Sequence, residues 1–178
     1  NTPGTTRDSI EVPFTAGEGA QARHYVLIDT AGARRRTKID TAVERYSRFR
    51  TQDSIERADV VILMLDATRG AGRLDKHLAG EILEGRKGCL IVVNKWDLVQ
   101  EQETTRSYGE RLARELPFLS HCPVAYVSAA TGANIRRSLA LLDHVGAQAQ
   151  RTLPTGLLNR VLERAAEAVA PPSRGGRP

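Results

Sequence analysis

Four polar stretches, most of them placed at the end of an apolar run, combine residue types that bind charged ligands. They are Thr5-Thr6-Arg7-Asp8, Asp29-Thr30-Ala31-Gly32, Asn94-Lys95-Trp96-Asp97 and Ser128-Ala129-Ala130. Carboxylate and hydroxyl oxygens are the ligands that Mg²⁺ prefers. Backbone amides beside a glycine can approach an anion closely, because no side chain stands in the way. The residue types therefore indicate a site for a charged, metal-associated ligand.

The stretch from Asn94 to Asp97 carries the most specific chemistry. The Asp97 carboxylate can accept two hydrogen bonds from the N1–H and the exocyclic amine of guanine, a donor pair that adenine lacks. Hydrogen bonds to a charged group contribute roughly 1.5–3 kcal/mol each, so a paired contact discriminates strongly between bases. Asn94 either reaches the N7/O6 edge or ties loops together, and the Lys95 stem can lie against the base. A polar turn after a buried strand explains these residues together poorly.

The other stretches fit the remaining parts of a nucleotide. Asp29 can hold Mg²⁺ through water, Gly32 lets its amide approach a terminal phosphate, and a Thr5-Thr6 hydroxyl can ligate Mg²⁺ when a γ-phosphate is present. Small residues at 128–130 let a backbone amide reach the guanine O6. Each stretch alone is also an ordinary loop sequence, so their order and placement carry the prediction of a guanine-nucleotide site.

Apolar runs alternate with helical patterns along the chain. Strands are predicted at 9–14, 24–30, 59–67, 89–97 and 123–129, and helices at 41–57, 73–84, 104–116, 134–149 and 155–169. The first two strands read as a hairpin with Pro13 on its edge strand. The alternation predicts an α/β fold, a parallel sheet with helices on both faces. In such sheets ligands bind outside the carboxyl ends of the strands, where three of the polar stretches lie.

Composition sets the class of protein. The 178 residues are 40% hydrophobic and 26% charged, which indicates a globular chain. The net charge of +5 suits an acidic partner such as RNA, although a basic surface often only aids solubility. Cys89 and Cys122 are expected to be buried thiols rather than a disulfide. No apolar run approaches the roughly 20 residues that cross a bilayer, and no signal-peptide core is present, so the cytoplasm is expected.

The four polar stretches, in this order, resemble the second to fifth motifs of the translation-factor-related P-loop GTPases. More narrowly, PGTTRDSI, DTAGARRRTKID, VERYSRFRTQDSIERADVVILMLDA and NKWDLV resemble the second G domain of the Der (EngA) family. That family carries two tandem Ras-like G domains, of the P-loop NTPase fold, and a C-terminal KH-like domain. The tail LPTGLLNRVLERA is similar to the first helix of the KH-like domain. Residues 1–150 are therefore expected to be a partial G domain, and residues 151–178 the beginning of a KH-like domain.

The resemblance implies a GTPase that binds GTP and GDP with Mg²⁺ and acts as a switch in assembly of the large ribosomal subunit. It implies contact with the rRNA of that subunit and K⁺ as an activator in some members, with neither a membrane nor DNA as partner. The metal would lie on Thr6 directly and on Asp29 through water. No catalytic base is assigned, because Ala33 stands where many GTPases place a water-orienting Gln. The nucleotide site implied comprises Thr6, Asp29, Thr30, Ala31, Gly32, Ala33, Asn94, Lys95, Trp96, Asp97, Ser128, Ala129 and Ala130.

The first motif of these GTPases, GxxxxGK[ST], does not occur in the sequence. We expect it upstream of Asn1, so the chain is expected to be a fragment that lacks the first strand and P-loop and is inactive alone. That strand would lie between the strands at 24–30 and 59–67, which would each lack one ladder partner. Two alternatives remain: a G-like scaffold module that has lost its P-loop, and a tRNA-modifying relative of MnmE.

Overall fold

The computed structural model describes residues 10–19, 22–29 and 51–168 of the 178-residue chain. The first element is an antiparallel hairpin of β1 (Ile10–Ala16) and β2 (Arg23–Asp29). Pro13 of β1 lies opposite Val26 of β2. Among the described strands, β1 pairs only with β2. Proline is tolerated there because an edge strand has one side that makes no ladder bonds. The predicted hairpin is thus present, with β1 continuing past the predicted end at residue 14.

The second sheet is parallel and has the strand order β3-β4-β5. Its strands are β3 (Val60–Asp66), β4 (Gly88–Asn94) and β5 (Val124–Tyr126). The pairing register places Asp66 directly opposite Asn94. The carboxyl ends of β3 and β4 therefore meet at one edge, as the alternation of strands and helices predicts. β5 is shorter than the predicted 123–129 because the chain turns into a loop after Val127.

The helices agree with the predicted spans within one residue wherever the structure describes them. They are α1 (helical residues 51–57), α2 (Arg73–Glu84), α3 (Thr105–Glu115), α4 (Ile135–Ala149) and α5 (Thr155–Ala168). The first ten residues of the predicted helix 41–57 lie outside the described residues. α3 begins at a capping box, in which the Thr104 hydroxyl accepts from the Ser107 amide at 3.1 Å.

Alternate residues of β4 enter two separate cores. Cys89, Ile91 and Val93 pack in a cluster with residues of α1, α2 and α3. Leu90 and Val92 face the other way, against a cluster that includes Val145 of α4. A continuous apolar strand is the pattern of a sheet buried on both faces. The prediction of helices on both faces is confirmed.

β2 and β3 each lie at the margin of a described sheet. Among the described residues, β2 pairs only with β1 and β3 pairs only with β4. On the side of the sheet that α4 covers, Met64 of β3 is 50% exposed, whereas its register neighbour Val92 of β4 is 5% exposed. The expectation that the missing first strand of the fold would lie between β2 and β3 stays a prediction.

The hairpin is linked to the helices by polar side chains. The Tyr25 hydroxyl donates to Asp143 Oδ1 of α4 at 2.8 Å, and Arg23 Nε lies 3.2 Å from Asp143 Oδ2. Arg57 of α1 pairs with Glu11 of β1. Two independent contacts therefore hold the hairpin beside the parallel sheet.

α5 presents an apolar face on which Leu157, Leu158, Val161 and Leu162 are all exposed. Its assignment to a second domain, beginning near residue 151, remains a prediction. Among the described helices, none is long and apolar enough to cross a membrane.

Candidate functional site

The loops that follow β4 and β5 are joined by one side chain. Asn94 is the last residue of β4, and its Oδ1 accepts from the amides of Lys95 at 2.8 Å and Ala129 at 2.9 Å. A backbone bond from Trp96 N to the Val127 carbonyl, 3.0 Å long, supports the same junction. The sequence left two roles open for Asn94, and its side-chain oxygen performs the second one, tying the loops together.

Asp97 lies in the short 3₁₀ turn Trp96–Leu98 directly after this junction. Its Oδ1 is buried and has no hydrogen-bond partner among the described residues. Burying a carboxylate oxygen without a hydrogen-bond partner costs free energy, so such an oxygen is a candidate acceptor for a donor on a ligand. Guanine, with two adjacent N–H donors on one edge, supplies donors of the kind that this oxygen lacks.

Lys95 adopts a left-handed backbone conformation, with φ at 63°, at the start of that turn. Its ammonium lies 2.6 Å from Asp66 Oδ2 at the end of β3. The pKa of Asp66 is lowered to about 2, chiefly by the hydrogen bond from Lys95 and further by bonds from Thr68. Asp66 was not among the site residues predicted from the sequence. The sequence feature that could have indicated it is that Asp66 ends one apolar run, as Asn94 ends the next.

Trp96 turns its ring into the core rather than toward the loop surface. It is 8% exposed and packs on two tyrosines, with ring centroids 5.5 Å from Tyr108 and 4.6 Å from Tyr126. The Tyr126 hydroxyl donates to the Thr105 carbonyl at 2.8 Å. The ring of Trp96 therefore anchors the turn that holds Asp97, and its neighbours tie that turn to α3.

The loop after β5 is built around Ser128, which is 1% exposed. The Ser128 hydroxyl accepts from the Thr131 amide at 3.2 Å, and Asn134 Nδ2 donates to the Tyr126 carbonyl at 2.9 Å. Ala129 is exposed, but its amide is already engaged by Asn94. Ala130 is exposed too, and its amide makes no hydrogen bond within the described residues. The Ala130 amide is thus available to a ligand oxygen.

The remaining predicted residues are those of the phosphate and metal half. Asp29 closes β2 through its backbone pairing with Ile10, but its side chain lies outside the described residues. The same holds for Thr6, Thr30, Ala31, Gly32 and Ala33. In the described ranges, no group of three or more His, Cys, Asp or Glu side chains could hold a metal ion. The base half of the predicted site is therefore brought together, and the other half stays a prediction.

Known proteins with similar sequences are GTPases. GTPase Der of Caldanaerobacter subterraneus subsp. tengcongensis is 45% identical over 177 residues, which cover 99% of this chain and 39% of that protein. GTPase Der of Moorella thermoacetica is 45% identical over 175 residues, 98% of this chain and 39% of that protein. The chain thus spans about two fifths of the length of these relatives. The resemblance to the Der family is confirmed.

Solved structures of GTP-binding proteins share the fold. A variant of Era from Aquifex aeolicus bound to GDP and AlF4⁻ superposes with a TM-score of 0.61 at 21% identity, over 86% of this chain and 49% of that one. A probable GTP-binding protein, engB, gives a TM-score of 0.58 at 18% identity, over 81% and 86% of the two chains. The fold is that of the Ras-like P-loop GTPases. Residues 1–95 match the family described as 50S ribosome-binding GTPases, and because the match covers more than half of the chain, the chain belongs to that family.

Proposed function

We propose that the whole protein binds GTP and GDP, hydrolyses GTP, and works as a switch in assembly of the large ribosomal subunit. The observation that carries the nucleotide part is Asp97, whose buried Oδ1 has no partner among the described residues. That oxygen lies on a turn whose backbone is held by contacts of Asn94 and Trp96, so the position of its backbone is set before a ligand arrives. A preorganised acceptor of this kind suits a base with two adjacent donors.

In this proposal each described residue has its own role. Asp97 accepts from N1–H and the exocyclic amine of guanine, and the Lys95 stem supports the face of the ring. The free amide of Ala130 donates to the guanine O6. Asn94 keeps the two loops together, and Ser128 shapes the second loop from inside. Hydrogen bonds recognise the edge of the guanine ring, whereas the apolar Lys95 stem contacts only its face. The preference for guanine over other bases therefore depends on Asp97 and Ala130.

The phosphate half rests on the family resemblance. Thr6 would hold Mg²⁺ directly and Asp29 through water, and the metal supplies charge stabilisation at the phosphates. Gly32 would donate its amide to the γ-phosphate, with Thr30, Ala31 and Ala33 completing that loop. Loss of the γ-phosphate would release the segments 1–8 and 32–40, which is the switch. K⁺ would activate hydrolysis. A comparison of the initial rates of GTP hydrolysis in K⁺ and in Na⁺ tests this.

The base contact has a direct test in the Asp97→Asn variant of the complete gene product. Xanthine carries a carbonyl where guanine carries the exocyclic amine, so an asparagine amide suits it better than a carboxylate does. Affinity for a fluorescent GDP analogue should fall by about 100-fold or more, and affinity for the xanthosine analogue should rise. Asp59→Asn is the matched control, since Asp59 is exposed and lies at the opposite end of β3.

The results of this binding experiment distinguish the GTPase proposal from the scaffold alternative. A wild-type protein that binds neither nucleotide would favour the scaffold alternative and end the GTPase proposal. A GDP affinity that the Asp97→Asn change leaves unaltered would keep the GTPase activity but remove Asp97 as the base reader. A reversal of base preference supports both parts.

The ribosomal part of the proposal rests on the family described as 50S ribosome-binding GTPases. Era, which shares the fold, has been crystallised with MgGDPNP and a segment of 16S ribosomal RNA. We assign the protein to the cytoplasm, with residues 1–150 as a G domain and residues 151–178 as the beginning of a KH-like, RNA-binding domain. The partner can be tested by co-sedimentation of the protein with purified 50S subunits in the presence of a GTP analogue. The amount recovered is compared with that in GDP and with that on 30S subunits. Equal recovery with both subunits would contradict a role specific to the large one.

A further inference from the structure

An ion pair links the end of β3 to the base-reading loop. Asp66 and Asn94 are register partners at the carboxyl ends of β3 and β4, and Lys95 follows Asn94 directly. Lys95 Nζ lies 2.6 Å from Asp66 Oδ2. The side chain of Asp66 is 12% exposed and that of Lys95 is 53% exposed, so a largely buried anion pairs with a half-exposed cation.

Asp66 is held from its other side as well. Its Oδ1 accepts from the Thr68 amide at 3.0 Å and from the Thr68 hydroxyl at 2.7 Å. The backbone of the same turn is closed by bonds from Arg69 N and Gly70 N to the Asp66 carbonyl, each 3.0 Å long. With both oxygens engaged, the carboxylate has one orientation, and the bonds from Lys95 and Thr68 lower its pKa to about 2.

Lys95 is constrained at its backbone too. Its φ of 63° is a left-handed conformation that a residue with a Cβ rarely adopts. The turn that imposes it is closed by a 3.1 Å bond from Leu98 N to the Lys95 carbonyl. The Cα end is therefore fixed by the turn and the ammonium end by Asp66. The four-carbon stem between them has little freedom, and it starts two residues before Asp97.

We propose that Asp66 is a positioning residue that fixes the Lys95 stem as a platform for the face of the bound base. This inference rests on the proposed nucleotide binding and adds a residue that the sequence motifs do not include. Asp66 would not touch the ligand. It acts by holding the lysine in place, so that the base meets an ordered apolar surface instead of a mobile side chain.

If Asp66 had only a structural role, its substitution would have different effects from those expected of a positioning residue. Asp66 could serve only to close the turn to Gly70, in which case its bonds with Thr68 would matter and its charge would not. Asp66→Asn keeps an oxygen for Thr68 and removes the ion pair. Thr68→Val removes one bond to the turn and keeps the ion pair. The two variants therefore separate the roles.

The test uses the complete gene product and two nucleotides, GDP and IDP, which lacks the exocyclic amine. A platform contacts the ring face, so Asp66→Asn should weaken both by the same factor, about fivefold, and leave the GDP/IDP ratio unchanged. Lys95→Met combined with Asp66→Asn should bind no more weakly than Lys95→Met alone. Thr68→Val should lose less affinity than Asp66→Asn. Effects that multiply in the double variant, or a changed GDP/IDP ratio, would overturn the platform role.

A second readout needs no nucleotide. Acylation of Lys95 by an N-hydroxysuccinimide ester, followed by mass spectrometry, should be several-fold faster in Asp66→Asn than in the wild type. An unchanged rate would show that the ion pair does not hold Lys95 in solution. A wild type that binds no nucleotide overturns the proposed function and the platform with it. A wild type and an Asp66→Asn variant that bind equally overturn the platform alone.

Discussion

Asn94 Oδ1 lies 2.9 Å from the backbone nitrogen of Ala129, and this bond helps to join the loops that follow two neighbouring strands. The same oxygen accepts from the Lys95 amide at 2.8 Å. One acceptor thus satisfies two backbone donors that lie outside the strands and α-helices. A side chain in this position sets the separation between Asp97 on one loop and Ala130 on the other.

Replacement of Asn94 by alanine should loosen the junction. Two amides would lose their acceptor, at a cost of about 1–3 kcal/mol, so the Ala129 amide should exchange its hydrogen roughly 5–150 times faster. Peptide-resolved hydrogen exchange of residues 127–133 measures the change. Asn159→Ala on the exposed face of α5 is the control and should leave those peptides unchanged. Equal protection in Asn94→Ala and wild type would show that the junction is held by other contacts.

The elements were predictable from the sequence because their patterns are local. β3 and β4 are continuous apolar runs, and α2 was predicted with the same bounds, Arg73–Glu84, that the structure has. The loop after β4 could also be singled out, since Asn94, Lys95 and Asp97 together are poorly explained as an ordinary polar turn. Predictions of this kind need only residue type and spacing along the chain.

Contacts between distant segments were not predictable in the same way. The Lys95–Asp66 ion pair depends on the register of β3 and β4, and the packing of Trp96 on Tyr108 and Tyr126 depends on how α3 docks. Parallel strands are joined by a long crossover, so no tight turn sets their register, and the docking angle of α3 likewise depends on residues distant in the chain. The sequence also suggested Trp96 as part of the nucleotide site, whereas its ring lies in the core.

Substitutions in this aromatic cluster should weaken the turn in a graded way. Trp96→Ala removes a buried ring, and we expect a loss of about 3–5 kcal/mol in the free energy of unfolding. Tyr126→Phe keeps the ring and loses only the 2.8 Å bond to the Thr105 carbonyl, at a cost of about 0.5–1.5 kcal/mol. Urea unfolding followed by circular dichroism ranks the two. A larger loss for Tyr126→Phe would contradict the packing described.

The Asp66–Lys95 pair predicts a pH dependence of stability. Because the folded pKa of Asp66 is lowered to about 2, its contribution is fully present above the unfolded value of about 4 and is lost as pH falls through about 2. The expected contribution is about 1–2 kcal/mol, since the exposed lysine is screened by solvent. Unfolding free energies of wild type and Asp66→Asn, measured from about pH 6 to pH 2, should differ by a constant amount above about pH 5 and converge in acid. A gap that persists at the acid end would assign the effect to something other than this carboxylate.

Two glycines predict opposite effects of the same substitution. A Cβ on Gly88 would lie 2.9 Å from Val145 Cγ1 and 3.4 Å from the Cβ of Ala149, so Gly88→Ala should push β4 away from α4. Gly80 lies within α2 with no atom within 4 Å of such a Cβ, so Gly80→Ala should stabilise the helix by about 0.5–1 kcal/mol. Thermal unfolding of both variants, compared with wild type, should shift the midpoint down for the first and up for the second. A Gly88→Ala variant as stable as wild type would mean that α4 packs less closely than the structure shows.

Asp143 should control how firmly the hairpin is held. It accepts from the Tyr25 hydroxyl at 2.8 Å and lies 3.2 Å from Arg23 Nε, so one carboxylate makes two of the contacts between β2 and α4. Asp143→Asn keeps an acceptor for Tyr25 but loses the ion pair, and Asp143→Ala loses both. Since exposed ion pairs contribute little, most of the loss should appear only in the alanine variant. Hydrogen exchange of residues 22–29 should therefore rise slightly with asparagine and strongly with alanine, while α2 peptides stay unchanged. A large rise already with asparagine would instead make the Arg23 ion pair the main tether, and no rise with either variant would point to the Arg57–Glu11 contact.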